Sequence, residues 1–568
     1  MLTAAHKTRV FKLVMGLLVI SGVLWGRLLW LQIIHPDHWV SIARRQHLQV
    51  LELPPVRGAI LDRNGRPLAV SIRLNSVFAN PRHVSDPSSV ARHLSRILNL
   101  PFEELREKLS NRKRGFVWIA RRISNQAAEE IRSARLGGVD LMMEPRRVYP
   151  QGYLASQVVG FAGMDARGLE GLELEWDRAL KGEPGWRWLS RDARQRGTGA
   201  WDAPFVLPRN GQELVLTLDT NIQYLVEQAL DAAYRKHRAQ AASIVVMDPS
   251  TGEILAMANR PTFDANESAS SPPENRRNRS VTDPFEPGSV FKVVTAATAL
   301  AHEAVTPEDK FYCEQGEYAV AGRILHDHRP HGWLTFREVI ALSSNIGTAK
   351  VAMKLGPDPI YKGIRAFGFG EKTRVELPGE APGLVKPPSR WSKPSITTIP
   401  MGHEVSVTVL QLAQGMAVVA NGGRLVRPRI LREVRDAQGT VVQRYGPVFI
   451  RRVVASEVAE EVRKILVEVV ENGTATWARP ATGGAGGKTG TAQKVEPNGT
   501  YSHSHFVASF VGFAPAEHPQ VVIAVVVDDP RGTYYGGTVA APVFKEVADG
   551  VIPYLRQKPI RSGGAHGL

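Results

Sequence analysis

Pro287-Gly288-Ser289-Val290-Phe291-Lys292 sets a serine and a lysine three residues apart, just behind a Pro-Gly break that can start a helix. On a helix, residues three apart share a face, so the two side chains can meet. The run continues through Val293, Val294, Ala296, Ala297 and Leu300, apolar on nearly every face, which predicts a helix buried in a domain core. Burial matters because a desolvated lysine sheds its proton more readily. The S-x-x-K spacing alone carries little weight, since Ser110-Asn111-Arg112-Lys113 repeats it in a polar stretch. Two fragments downstream change that: Ser343-Ser344-Asn345 and Lys488-Thr489-Gly490-Thr491.

Outward from this stretch the sequence reads as an α+β domain. Leu214 to Leu218 has strand character, and Asp219 or Thr220 can cap a helix from Asn221 to about His237. Ser243 to Met247 and Glu253 to Ala258 form two strands around an Asp-Pro-Ser-Thr-Gly turn. Val507 to Ala514 and Val521 to Val527 are strand-like, and Pro542 to Leu555 suits a closing helix. The order predicts one antiparallel sheet covered by helices. Between Pro54 and Asn210 the texture is mixed and loop-rich. Ile60-Leu61, the Asn64-Gly65 turn signal and Leu68 suggest a hairpin, and Ser89 to Ser110 has helical spacing. With no catalytic constellation, this module reads as a spacer or docking pedestal.

At 568 residues the chain predicts two or three folded units plus appendages. Its one cysteine, Cys313, excludes an internal disulfide framework and a Cys-rich zinc site. A net charge of +16 favours anionic surroundings. No zinc-finger spacing, RRM-type signature or homeodomain-like recognition helix accompanies that charge, so nucleic acid is not the expected partner. Leu13 to Ile34 is apolar apart from Arg27, Gln32 and small residues, and at ~1.5 Å per residue it can cross a bilayer. Lys7, Arg9 and Lys12 precede it. A cleaved signal peptide has a shorter apolar core, and the nearest small-x-small triplet, Ser41-Ile42-Ala43, lies beyond a polar stretch, so a retained anchor is expected. Residues 1–12 are too short to fold, which places the chemistry on the far side of the membrane.

The three fragments have the residue types for acyl transfer through serine. Serine is a poor nucleophile until a base takes its proton, and Lys292 can be that base if burial and a second cation, Lys488, keep its amine neutral. Ser343 would stand between the two lysines and relay a proton to the leaving amine, while Asn345 offers an amide to a peptide substrate. Lys488-Thr489-Gly490-Thr491 reads as an edge strand to which an extended peptide can add. Thr489 and Thr491, with Lys488, would bind a terminal carboxylate, and the backbone N–H groups of Ser289 and Thr491 would form an oxyanion hole. Other clusters have plainer readings: His326, His328 and His331 a polar loop rather than a metal site, His403-Glu404 no zinc helix, and Arg276, Arg277 and Arg279 a solvated run in preference to a site for an anionic substrate.

S-x-x-K, S-x-N and K-T-G in this order are the set of penicillin-interacting serine acyltransferases. With the anchor, Arg57-Gly58 through Asp62-Arg63-Asn64-Gly65, and Gly168-Leu169-Glu170-Gly171, the chain resembles class B penicillin-binding proteins from Leu13 to Pro553. Asn278 to Ser289 and Tyr534 to Phe544 look like the division-specific, FtsI-like branch. One departure is Gly402-His403-Glu404, where the family often has Gly-Tyr-Gly. The resemblance implies a single N-terminal transmembrane helix in the inner (cytoplasmic) membrane, with a periplasmic peptidoglycan D,D-transpeptidase lacking a glycosyltransferase domain. It implies residues 1–12 as cytoplasmic tail, 13–34 as anchor, 35–210 as pedestal (dimerisation-type) domain and 211–568 as transpeptidase domain. It also implies acylation of Ser289 by stem pentapeptides and β-lactams, partnership with an FtsW-like glycan polymerase and divisome proteins, and no metal or organic cofactor. The alternatives are an elongation-type transpeptidase, a hydrolytic carboxypeptidase or β-lactamase, and a non-enzymatic divisome scaffold or β-lactam sensor.

Overall fold

The computed structural model describes residues 4–34, 48–191, 197–198 and 205–557. They fall into two compact units, Met1–Val56 with Gly182–Asn210, and Arg57–Lys181 with Gly211–Leu568.

In the first unit an α-helix, Ala4–Leu29, ends in a π-helical turn, Trp30–Ile34. Its span His6–Ile33 has a mean hydropathy of 1.9 and is long and apolar enough to cross a membrane. The helix starts upstream of the expected Leu13, because Ala, Lys and Arg before the apolar run are themselves good helix formers. The Arg27 guanidinium lies 4.6 Å from the Trp30 ring centre, a cation–π contact. The Ser41–Ala43 triplet falls outside the described residues. The strands Leu48–Leu53, Gly197–Thr198 and Phe205–Val206 all pair antiparallel with Gly185–Arg191.

The second unit holds two large sheets. One has the strand order Val441–Arg444, Leu431–Arg435, Glu213–Leu216, Ile60–Leu61, Pro67–Ala79 and Val117–Ile123, with Val139–Val148 also paired to Pro67–Ala79. It therefore combines strands from both sides of position 210. The hairpin expected around Asn64-Gly65 is present, with Ile60 opposite Ala69. Buried Asp62 organises it: Oδ1 accepts from the backbone of Asn64 (2.7 Å) and Arg66 (2.9 Å), while Oδ2 accepts from Thr220 N and Oγ1 (3.1 and 2.7 Å). One carboxylate thus closes a turn and ties it to the head of helix Thr220–Lys236, whose first turn is capped by Asp219. The helical stretch expected over 89–110 is two helices, Pro87–Leu98 and Phe102–Ser110. Asn99 takes a left-handed conformation (φ 53°) and ends the first, and Pro101 precedes the second.

The second sheet is antiparallel, in the order Ile254–Arg260, Ala241–Met247, Val521–Asp528, Tyr501–Ala514, Gly486–Val495. Alternate residues serve opposite faces. Phe510 meets Phe544 of helix Ala541–Gln557 edge-on at 4.8 Å, and that helix packs beside Thr220–Lys236. Ser509 points the other way, towards Gly490 and Val290. Helices Lys292–Ala301, Val409–Ala420 and Ser456–Glu471 pack together there, and both Lys292–Ala301 and Val409–Ala420 are almost wholly buried. The strand Gly486–Val495 ends the sheet, so one of its edges is unpaired.

The Arg57-Gly58 and Gly168–Gly171 motifs meet at a buried ion cluster. Arg57 Nε lies 2.6 Å from Glu173 Oε2 and Nη1 2.6 Å from Asp177 Oδ1, while Arg147 Nε and the Tyr149 hydroxyl reach Glu173 Oε1 at 2.6 and 3.2 Å. Glu173 is fully buried. Removing one partner of a buried pair strands the other, so Arg57→Met is expected to cost about 3 kcal/mol of folding stability. Urea unfolding of the full chain in detergent checks this, and a loss below about 1 kcal/mol would show that Arg147 alone suffices for Glu173.

Candidate active site

Ser289 does not open the α-helix directly. It sits in a 3₁₀ turn, Gly288–Phe291, that leads into helix Lys292–Ala301, and the backbone N–H of Lys292 donates to Ser289 O. Gly288 enters this turn at φ 58°, a conformation suited to glycine. The tighter turn nearly eclipses residues three apart, which keeps Ser289 and Lys292 on one side. Ser289 is half-buried, and among the described residues no group hydrogen-bonds its hydroxyl. Its Oγ is therefore not joined to Lys292, a looseness common in free enzymes whose hydrogen bonds tighten on substrate.

Lys292 is fully buried. Its Nζ lies 2.7 Å from Ser343 O, 2.8 Å from Asn345 Oδ1 and 3.2 Å from Ser343 Oγ. Lys488, also fully buried, reaches the same Ser343 Oγ at 2.9 Å. One hydroxyl is thus held between two amines. Burial lowers Lys292 from its ordinary 10.5 to about 7, partly opposed by the negative charge of Asp327. Lys488 is pushed well down by burial and then by Lys292. A neutral Lys292 amine has two N–H groups, which match Ser343 O and Asn345 Oδ1, and one lone pair left for a hydroxyl proton.

Ser343 is held in a strained backbone conformation. It adopts φ 61°, the left-handed region that serine seldom enters. The turn is fixed from behind by Asp327, which accepts from Ser344 Oγ (2.6 Å), from Ile346 N (3.0 Å) and from Asn345 N. Asn345 Nδ2 donates to His326 O at 2.9 Å, so both ends of the amide are engaged.

Lys488-Thr489-Gly490-Thr491 runs along the unpaired edge strand. Gly490 allows its backbone to touch the serine turn: a Cβ there would lie 2.7 Å from Pro287 O and 2.8 Å from Val290 Cγ2, and closer still to Ser509 Oγ. Thr491 Oγ1 accepts from Gly536 N at 3.0 Å, and the Thr489 hydroxyl meets Thr474 at 3.0 Å. Each hydroxyl keeps capacity for one more partner.

Residues 242–549 match the Penicillin binding protein transpeptidase domain, and residues 52–216 the Penicillin-binding Protein dimerisation domain. The chain is 36% identical to Stage V sporulation protein D of Bacillus subtilis, over 98% of this chain and 86% of the relative. It is 33% identical to the peptidoglycan D,D-transpeptidase FtsI of Escherichia coli, over 97% and 92%. Among solved structures, Penicillin binding protein 3 of Mycobacterium tuberculosis complexed with aztreonam superposes with a TM-score of 0.71 at 30% identity, covering 90% of this chain and 98% of that one.

The chain belongs to the class B penicillin-binding proteins.

Several groups around this penicillin-binding site carry no signal in the sequence. Asp327 lies 17 to 19 positions from the groups it fixes, inside the loop read only as polar. In the same loop the His328 ring packs 5.1 Å from Tyr535, itself 4.5 Å from Tyr534. Glu286 is the second such group. Its Oε2 lies 3.0 Å from His403 Nδ1, and its Oε1 accepts from Glu404 N (2.9 Å) and the Tyr501 hydroxyl (3.3 Å). His403 and Glu404, the departure from Gly-Tyr-Gly, thus hold the segment leading to Ser289. The Arg276–Arg279 run is not a free solvated face, because Arg277 and Arg279 both pair with Asp283 (2.7 and 2.8 Å).

The contact between Gly490 and the serine turn leaves no room for a methyl group. Gly490→Ala is expected to destabilise the fold by about 1–3 kcal/mol and to slow labelling by a fluorescent penicillin at least about tenfold by displacing Ser289. Wild-type melting together with wild-type labelling kinetics would rule the contact out as a constraint.

Proposed function

We propose that this protein is a septal peptidoglycan D,D-transpeptidase working through a Ser289 acyl-enzyme. The observation that carries the reading is the Ser343 hydroxyl held between two buried amines, one turn from a half-exposed serine. In this reading Ser289 Oγ attacks the carbonyl between the last two D-alanines of a stem pentapeptide, and its proton passes to neutral Lys292. The tetrahedral oxyanion lies against the backbone N–H groups of Ser289 and Thr491, each donor contributing about 3–4 kcal/mol. Collapse releases D-alanine, whose nitrogen takes its proton through Ser343. An amine of a neighbouring stem then attacks the ester and gives a proton to the lysine pair; the cross-linking amide forms as the bond to Ser289 Oγ breaks, and that oxygen takes the proton back from Lys292. Lys488, Thr489 and Thr491 hold the terminal carboxylate, Gly490 admits the substrate backbone, and Asn345 orients it.

The expected division of the chain stands as part of this proposal: tail 1–12, anchor 13–34, pedestal 35–210 and catalytic domain 211–568, with the catalytic portion periplasmic. So does an FtsW-like polymerase as partner. The division role draws support from the Asn278–Ser289 and Tyr534–Phe544 segments and from relatives named FtsI and Stage V sporulation protein D. Depleting the protein should produce filaments with unfinished septa, and a Ser289→Ala copy should fail to correct them. Rounded, swollen cells would instead place it in elongation, and normal division with Ser289→Ala would leave only a scaffold. A donor stem with a labelled amine acceptor should give cross-linked product, whereas free acid alone would mean a hydrolase.

The lysine titration gives the sign of the pH dependence. The neutral form of Lys292 grows as pH rises through about 7, so acylation by penicillin should climb about tenfold per pH unit below 7 and level off above it. Lys292→Ala should lose labelling while remaining folded. A rate flat between about pH 5.5 and 8 would overturn the assignment of Lys292 as base.

A further inference from the structure

In the catalytic unit Trp333 and Trp477 stand out in solvent, 67% and 66% exposed. Single exposed apolar residues are ordinary, and Trp477 is one, with no ring packed on it among the described residues. Trp333 is built into a surface. It opens the strand Trp333–Thr335, pairs with Tyr312 of the strand Lys310–Tyr312, and sets its ring 5.4 Å from the Tyr312 ring. Lys350 fixes that tyrosine: Nζ donates to Tyr312 O (2.7 Å) and Glu314 Oε1 (2.6 Å) and lies 5.9 Å from the ring centre. Glu314 and Gln315 then take φ 49° and 51° in succession, both in the left-handed region. Such strain persists only where the surroundings impose it. Here Gln315 N donates to His331 O (2.9 Å) and Cys313 N to Gly332 O (2.7 Å). The exposed Gln315 side chain is thereby brought beside the rings: a Cβ on Gly332 would lie 3.4 Å from Gln315 Nε2 and 4.0 Å from Tyr312 Cε2. Among the described residues nothing hydrogen-bonds the Gln315 amide, and Arg329, exposed in the loop before Trp333, has no acidic partner.

An open indole backed by a second ring, with an unused planar amide at its edge, fits a hexopyranose. The C–H face of the sugar stacks on the rings, and its hydroxyl or acetamido groups bond the amide. Position decides which sugar. Cys313, next to Tyr312, has its Sγ 3.4 Å from Ser344 Oγ, and Asp327, two residues before Arg329, fixes the Ser343–Asn345 turn. The rings therefore belong to the Ser343 bank, facing the edge strand Gly486–Val495 that the donor stem follows in the transpeptidase reading, on which this inference rests. In that reading the departing amine takes its proton through Ser343, so the incoming amine must come to the same hydroxyl and the lysines it joins. We propose that Trp333, Tyr312 and Gln315 form a sugar site for the glycan strand that carries the acceptor stem, with Arg329 taking a carboxylate of that stem.

Transfer to two acceptors tests it, with the full chain in detergent and a thioester stem donor saturating Ser289. One acceptor is the disaccharide-tetrapeptide cut from the cell's own wall by a muramidase, and the other is the same tetrapeptide freed of sugar by an amidase. Cross-linked product and free acid are both measured. The sugar-bearing acceptor should have a KM at least about fivefold lower, the size expected of one aromatic stacking contact. Trp333→Ala should erase that ratio and Gln315→Ala should reduce it at least about twofold. Penicillin labelling, melting temperature and hydrolysis of the acyl-enzyme should stay at wild-type values in both. Arg329→Gln should raise the KM of the two acceptors together, and Trp477→Ala should leave the ratio as it is. Equal KM values in the wild type, a ratio unchanged in Trp333→Ala, or one lost equally in Trp477→Ala would overturn the sugar site and leave the transpeptidase reading intact. Acylation of Ser289 followed by free acid alone with both acceptors would overturn that reading and the acceptor site with it.

Discussion

Two amines share one hydroxyl in a dry interior, and much of the catalytic unit is arranged to make that tolerable. Lys292 and Lys488 approach Ser343 Oγ at 3.2 and 2.9 Å, so their nitrogens are at most about 6 Å apart. Two positive charges at that separation repel by about 3 kcal/mol at an effective dielectric of 20, on top of the desolvation each bears. The pair therefore does not hold two protons near neutral pH. Lys488 is held well below its ordinary value by burial and by Lys292, and Lys292, with Asp327 nearby, titrates near 7. A base that is part neutral at working pH suits proton abstraction from serine.

Holding those amines together requires backbones to touch where side chains would ordinarily intervene. Gly490 lets the edge strand lie against Pro287 and Val290, and a Cβ on Gly402 would run into the carbonyl oxygen of Gly288. Ser343 adds strain of its own at φ 61°, which the Asp327 carboxylate offsets by fixing the residues that follow. The buried helices behind the serine turn provide the rigid surroundings that such strain needs to persist. The sheet contributes on both faces, with Phe510 and Phe544 on one side and the serine turn on the other.

Much of this was legible in the sequence because it is periodic or local. Two strands of the five-stranded sheet, Ala241–Met247 and Val521–Asp528, follow β-branched runs, the Asp219 cap opens its helix as the residue type requires, and the all-round apolar run after Lys292 marks a core helix. The three fragments carrying Ser289, Ser343 and Lys488 were readable because each keeps a fixed short spacing. Illegible were the groups whose partners are remote in the chain. Asp327 looks like one more polar loop residue until the fold sets it under Ser344. Asn99 ended a helix that spacing alone would continue, because its left-handed conformation is not written in hydrophobic pattern. The Arg276–Arg279 run looked solvated because Asp283, which binds two of its members, carries no periodic signal.

Glu286 shows how such remote partners enter the chemistry. Its carboxylate is three residues from Ser289 and engages His403, Glu404 N and Tyr501, groups from a loop and a hairpin far apart in the chain. Tyr501 pairs with Val495 at the far end of the strand that carries Lys488. Burial and the nearby carboxylate raise the Tyr501 phenol, keeping it a neutral donor. The serine turn is thus held at Gly490 by close backbone contact and at Glu286 by hydrogen bonds, two points on one hairpin. With only the first, the turn could pivot about the strand. With both, its position is fixed along the strand as well as across it.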